Sequence, residues 1–76
     1  MPKLALITPK QLVTLLDNLG FEQRDAEGSH TFFRHADGRT TVVAMKSKEI
    51  GRGLLRKILR DIDISRDEYD TLRKEL

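Results

Sequence analysis

The chain of 76 residues has no cysteine, only two histidines and no long hydrophobic run. Without cysteine there is no disulfide scaffold and no Cys-based zinc site, which fits a cytoplasmic chain. A membrane helix needs about 18 or more consecutive apolar residues, and no stretch here approaches that. The opening MPKLALITPK holds four consecutive apolar residues, Leu4 to Ile7. It has no small-residue cleavage site, so no secretory signal and no membrane partner are expected. Linkers, repeats and low-complexity tracts are lacking too. The length suits one small domain over residues 1–76.

Charge is present and unevenly placed. Arg34 to Arg60 holds eight basic and two acidic residues, a local charge of +6. The remainder holds six basic and ten acidic residues, −4, so the overall +2 hides a basic zone between acidic ends. Such a zone suits a polyanionic partner or a plain solvated surface, and charge alone leaves both open.

The order of elements follows from capping and periodicity. Thr8-Pro9-Lys10-Gln11 is a capping box with proline at the first helical position. Leu12, Leu15, Leu16 and Leu19 continue it as a helix, and Gly20 ends it. Phe21–Glu27, His30–Arg34 and Arg39–Ala44 read as three strands joined by Gly28-Ser29 and by a turn at Asp37-Gly38. Ile50, Leu54, Leu55, Ile58, Leu59 and Ile62 form one apolar stripe of a second helix. Ser65-Arg66-Asp67-Glu68 opens a short third helix with Tyr69, Leu72 and Leu76 on one face. The expected fold is α+β, in the order α-β-β-β-α-α. A three-stranded antiparallel sheet would carry helices on one face and leave the other open.

Strand parity sorts the chemistry. His30 and His35 fall on opposite faces, which disfavours a metal pair. Neighbouring Ser29 and His30 diverge in the same way, which disfavours a nucleophile–base pair. Asp25 and Glu27 share a face and suit magnesium or simple solvation. His35, before the turn, reads as an exposed turn residue. Phe32 and Phe33 also point oppositely; Phe32 is expected in the core and the other is left to stack on a base. Arg52, Arg56 and Arg60 recur every four residues beside Lys57, and Gly51 and Gly53 leave the N–H groups of the helix start open to a phosphate. From the residues alone, His30 is either a strand-end histidine with no chemical role or a proton-transfer group.

LGFEQRDAEGSH (residues 19–30), FRHADGRTTVV (33–43) and GRGLLRKIL (51–59), in this order and spacing, resemble the HicA family of toxins from toxin–antitoxin pairs. The resemblance covers most of the chain. It implies a fold like a double-stranded-RNA-binding domain (dsRBD-like), ribosome-independent cleavage of mRNA, and a HicB-like antitoxin as partner. It also selects the functional reading of His30. The family pattern ends its last strand with Pro-x-His; here Ala44-Met45-Lys46 stands there, so Lys46 replaces the second histidine. Lysine serves at that place if the position contacts phosphate; if it transfers a proton, the replacement bears directly on activity.

RNA can be cleaved by its own 2′-OH without metal or cofactor. The hydroxyl loses a proton, attacks phosphorus in line and expels the 5′-oxygen, which gains a proton. Histidine titrates near neutrality and suits either transfer. His30 is therefore the candidate catalytic residue. Gly28 and Ser29 let RNA approach the turn, and Arg34, Lys46, Lys48, Arg52 and Arg56 are the candidate RNA contacts. Two other classes remain open: a non-catalytic RNA-binding module, and a protein-interaction module whose basic zone meets an acidic partner.

Overall fold

Capping chemistry sets the first helix. The computed structural model describes residues 4–76; residues 1–3, which open the stretch read above for a signal, lie outside the described residues. Helix α1 spans Pro9–Asn18. The Thr8 hydroxyl accepts the Gln11 N–H at 3.1 Å, and the Gln11 side chain accepts the Thr8 N–H at 3.1 Å, closing the expected box. Leu12, Leu15 and Leu16 turn into the core. The helix ends in a Schellman motif: Phe21 N–H reaches the Leu16 carbonyl at 2.9 Å, Gly20 N–H reaches Asp17 at 3.0 Å, and Gly20 takes φ 92°.

Three strands follow, β1 (Glu22–Glu27), β2 (His30–Arg34) and β3 (Thr40–Ala44), paired antiparallel in the order β1-β2-β3. β2 is central. Its exposure alternates strictly: Thr31 and Phe33 face inward, while His30, Phe32 and Arg34 face out. The expectation for the phenylalanines is thus reversed. Phe33 is the core residue and Phe32 is 37% exposed. The irregularity sits in β1, where the register shifts between Gln23 and Ala26. β2 stays regular, so Phe32 shares the face of His30. All six residues of β1 are exposed, as suits a charged edge strand blunted by a bulge.

The second hairpin is held from inside. His35 N–H bonds the Arg39 carbonyl at 2.8 Å and Gly38 N–H bonds the His35 carbonyl at 2.9 Å. Gly38, at φ 100°, takes the bulge position. His35 is half-buried and not the exposed turn residue expected from its place before the turn. Its ring meets Phe21 edge-on at 5.1 Å, and its Nδ1 accepts the Asp37 N–H at 3.1 Å. A Cβ on Gly20 would lie 3.3 Å from His35 Nε2, so that glycine is required by both its angle and its neighbour. Arg39 bonds Asp37 through Nε at 2.8 Å and the Ile62 carbonyl through Nη1, and lies 5.2 Å from the Phe21 ring centre. It ties the hairpin to the end of the next helix. The Arg39 backbone N–H and guanidinium hold the Asp37 carboxyl below its usual 3.8.

Helix α2 spans Arg52–Asp61 and packs Leu55, Ile58 and Leu59 inward. Two residues leave the expected stripe. Ile50 precedes the helix and bonds the Ile7 carbonyl at 2.8 Å, while Leu54 is 38% exposed on the flank. The helix ends in a second Schellman motif, with Ile64 N–H on Leu59 at 3.0 Å, Asp63 N–H on Arg60 at 3.2 Å, and Asp63 at φ 56°. A side chain in that conformation is strained, although Asp bears it better than most. Asp63→Gly should therefore raise stability by up to about 1 kcal/mol, read as a higher melting temperature.

Helix α3 spans Arg66–Lys74, with Ser65 accepting the Glu68 N–H at 3.1 Å. Tyr69 is fully buried and its hydroxyl donates to the Ala5 carbonyl. Leu72 packs against the core, but Leu76 lies past the helix and is exposed. Burial raises the Tyr69 phenol above its usual 10.0. Its stabilising contribution is present below that pH and is lost as pH rises beyond it. The helices pack on the inward face of the sheet and share one core with Phe33 and Val43. Among the described residues, no helix is long and apolar enough to cross a membrane.

Candidate active site

The Gly28–Ser29 turn builds the site. It joins β1 to β2 in two residues, with Glu27 and His30 as the flanking pair. Gly28 takes φ 61° at the first central position, the pattern of a type II′ hairpin turn. A Cβ on Gly28 would meet nothing within 4 Å, so glycine is needed for the backbone angle and the space beside it is open. The Ser29 carbonyl accepts the Met45 N–H at 2.7 Å, which carries the β2–β3 ladder one step past the His30–Ala44 pair.

His30 therefore opens the central strand, exposed on the face without helices. Its cross-strand partners are Glu27 and Ala44. Alanine leaves one side of the imidazole uncrowded. Glu27 is its cross-strand neighbour, and no hydrogen bond or ion pair joins the two. Strand parity, which sets Glu27 beside Asp25, does not find this neighbour. The signal was the two-residue turn, whose flanking residues must face each other. Among the described residues, no three His, Asp or Glu side chains form a group suited to a metal ion.

The basic residues divide. Arg39 is held by the fold, and Lys57 bonds Asp61 at 3.0 Å, the same carboxylate oxygen that accepts the Thr41 hydroxyl at 3.2 Å. Lys46 and Lys48 are exposed in the loop directly after β3, next to the Ser29–Met45 bond. Neither makes a hydrogen bond or ion pair with the described residues. Gly28, Ser29, His30 and Lys46 are thus brought to one end of the sheet, with Lys48 two residues on. Arg34 shares the face of His30 but lies at the far end of β2, about 13 Å away over four residue steps.

Arg52 and Arg56 belong to the helix layer. Gly51 caps α2 with no side-chain bond and the first turn has no acid, so its free N–H groups face solvent. Arg52 Nε reaches the Leu4 carbonyl at 3.2 Å. Arg56 follows one turn later, about 6 Å along the helix. It edges a groove with an apolar floor of Leu4, Leu59 and Ile64 and a rim that includes Arg60 and Arg66. This flank of α2 is opposite the Lys57–Asp61 flank that meets β3. The 45–49 loop links the His30 end of β3 to the α2 N-terminus, where Arg52 begins the helix.

The family model described as the HicA toxin of bacterial toxin–antitoxin systems matches residues 9–64. The match starts at the first residue of α1, covers all three strands, and ends just after α2. No curated protein matches the chain. With most of its length and the whole sheet inside the match, the chain belongs to the HicA toxin family of bacterial toxin–antitoxin systems.

Proposed function

We propose that this toxin is a metal-independent endoribonuclease that cleaves mRNA in the cytoplasm, with His30 as general acid/base and a HicB-like antitoxin as the partner that silences it. The observation that carries this reading is the end of the sheet just described. An exposed imidazole opens the central strand beside an open glycine turn, with two lysines in the adjoining loop that are unpaired among the described residues.

In-line attack puts the entering 2′-oxygen and the leaving 5′-oxygen on opposite sides of phosphorus, so one imidazole serves one of them. Neutral His30 takes the 2′-OH proton. The 5′-oxygen leaves with a proton from Lys46 or from water. Lys46 and Lys48 offset the charge that grows on the non-bridging oxygens. Ser29 donates to the phosphate, and Gly28 lets the backbone come close. Arg34, Arg52 and Arg56 hold flanking phosphates, which gives affinity and salt dependence without sequence preference.

Cleavage of RNA by the purified chain with EDTA present tests the proposal. Unaltered RNA under those conditions, with RNA retained, would favour the second reading, a non-catalytic RNA-binding module. Lys46 in place of a family histidine is the observation behind that reading.

Lys46 has its own test. As a phosphate contact, Lys46→Ala should raise KM several-fold with a smaller change in kcat, and Lys46→His should be tolerated. If turnover at saturating RNA disappears while binding is unchanged, the lysine transfers the second proton.

A further inference from the structure

The open sheet face carries a feature that the turnover chemistry does not use. β2 presents His30, Phe32 and Arg34 there, and β3 sets Ala44, Val42 and Thr40 opposite them. These six residues include no carboxylate. The acids of this face, Glu22, Asp25 and Glu27, stand on β1, and Glu22 lies 3.6 Å from Arg24. Phe32 is 37% exposed although the core beneath it is already filled by Phe33. Phe32 and Val42 floor a shallow depression that Arg24, Asp25, Arg34 and Thr40 border, so two cations and one acid line it. Arg34 makes no hydrogen bond or ion pair with the described residues.

Along an extended strand, alternate side chains stand about 7 Å apart. The row is then a proton-transfer group, a flat aromatic surface and a free guanidinium at even steps. Only an unpaired base offers its whole ring face to such a surface, and base–aromatic stacking tolerates any sequence. A duplex keeps its bases stacked on each other and gains nothing from Phe32.

We infer that the open face is a track for single-stranded RNA, on which Phe32 stacks a base next to the scissile phosphate at His30 and Arg34 holds a phosphate further along. The inference rests on the ribonuclease reading for its placement of the scissile phosphate. It makes Phe32 the residue that selects unpaired over paired RNA.

The chain contains no tryptophan, so Phe32→Trp supplies a single indole reporter on the track. Combined with His30→Ala to prevent cleavage, it should show saturable fluorescence quenching with a 12-nucleotide single-stranded RNA. The same sequence annealed into a blunt duplex should give little change. In the same background, Phe32→Ala should weaken binding of the single strand about 5- to 150-fold, while Phe32→Tyr keeps it. Circular dichroism should show all variants folded, since the position is exposed.

Equal affinity of Phe32→Ala and its parent for the single strand would overturn the inference. So would equal quenching by the duplex, or an indole signal that follows protein concentration without RNA, which would mark a second copy of the chain on this face. Cleavage by wild-type protein is scored separately. Cleavage with a silent indole reporter removes the track and keeps the nuclease. Quenching with loss of affinity in Phe32→Ala, but no cleavage by wild type, keeps the track and removes the nuclease.

Discussion

His30→Ala should leave a folded protein whose RNA cleavage is at least 10²-fold slower, and by up to about 10⁴-fold if His30 is the principal proton-transfer group. The fold survives because the imidazole is exposed and makes no hydrogen bond with the described residues. Substitutions at such positions shift stability by about 0.5 kcal/mol or less. The strand keeps its place because its register comes from the Gly28–Ser29 turn and the Ser29–Met45 bond, both made by backbone. Melting and cleavage therefore separate. The melting temperature should stay within a few degrees while turnover collapses. Full turnover by folded His30→Ala would assign the proton transfer elsewhere. In growing cells the same change should abolish the growth arrest caused by induced expression.

His35 shows why this result is not expected of both histidines. Its ring packs on Phe21, supports the hairpin through Asp37 N–H, and stands 3.3 Å from where a Cβ on Gly20 would lie. Parity along β2 separates the two histidines from sequence, and the structure keeps that separation. Parity could not say that His35 faces inward, because that depends on which side of the sheet the helices cover. The same ambiguity produced the exchange between Phe32 and Phe33. One fixed point would have resolved it: a catalytic His30 must be reachable, so Phe32, two residues on, must be outside. The backbone elements were more legible, because each boundary carries its own local chemistry: Thr8 and Gln11, Gly20, Gly28, Gly38 and Ser65. Leu54 and Ile50 were misplaced since periodicity finds a stripe without locating where the helix begins. The true start is marked by Ile50 pairing with Ile7, a contact 43 positions apart that no local pattern carries.

Long-range contacts also decide which charges are available. Arg39 and Lys57 count equally with Lys46 in any tally of the basic zone, yet the fold holds Arg39, and Lys57 pairs with Asp61 one turn on. A residue two positions after an Asp-Gly turn acid, or four before an acid on a helix, has a local partner legible in sequence. Arg39 on Ile62 does not. Conversely, Glu27 beside His30 was written in the length of the turn.

Charge reversal at Arg52 and Arg56 should slow antitoxin association by about 10- to 10³-fold at low salt, with the difference shrinking as salt rises. Both arginines are exposed, and Arg56 borders the groove floored by Leu4, Leu59 and Ile64. A partner that presents acidic groups around an apolar side chain fits this flank better than RNA does, because the apolar floor offers nothing to phosphate. From there it needs to extend only past the α2 N-terminus and the 45–49 loop to cover His30. Arg52 and Arg56 would then meet antitoxin and RNA in turn, and the two ligands should exclude each other. Another exposed apolar surface, formed by Leu19 and Leu72 with Asp67, Glu68 and Thr71, carries acids in place of arginines. An antitoxin docked there would be indifferent to the arginine reversals and would leave RNA binding intact. Stopped-flow association of the pair across a salt series, followed by RNA titration of the preformed complex, separates the two surfaces. Simultaneous binding of RNA and antitoxin, with neither affinity reduced, would rule out occlusion and leave inhibition at a distance through the α3 side.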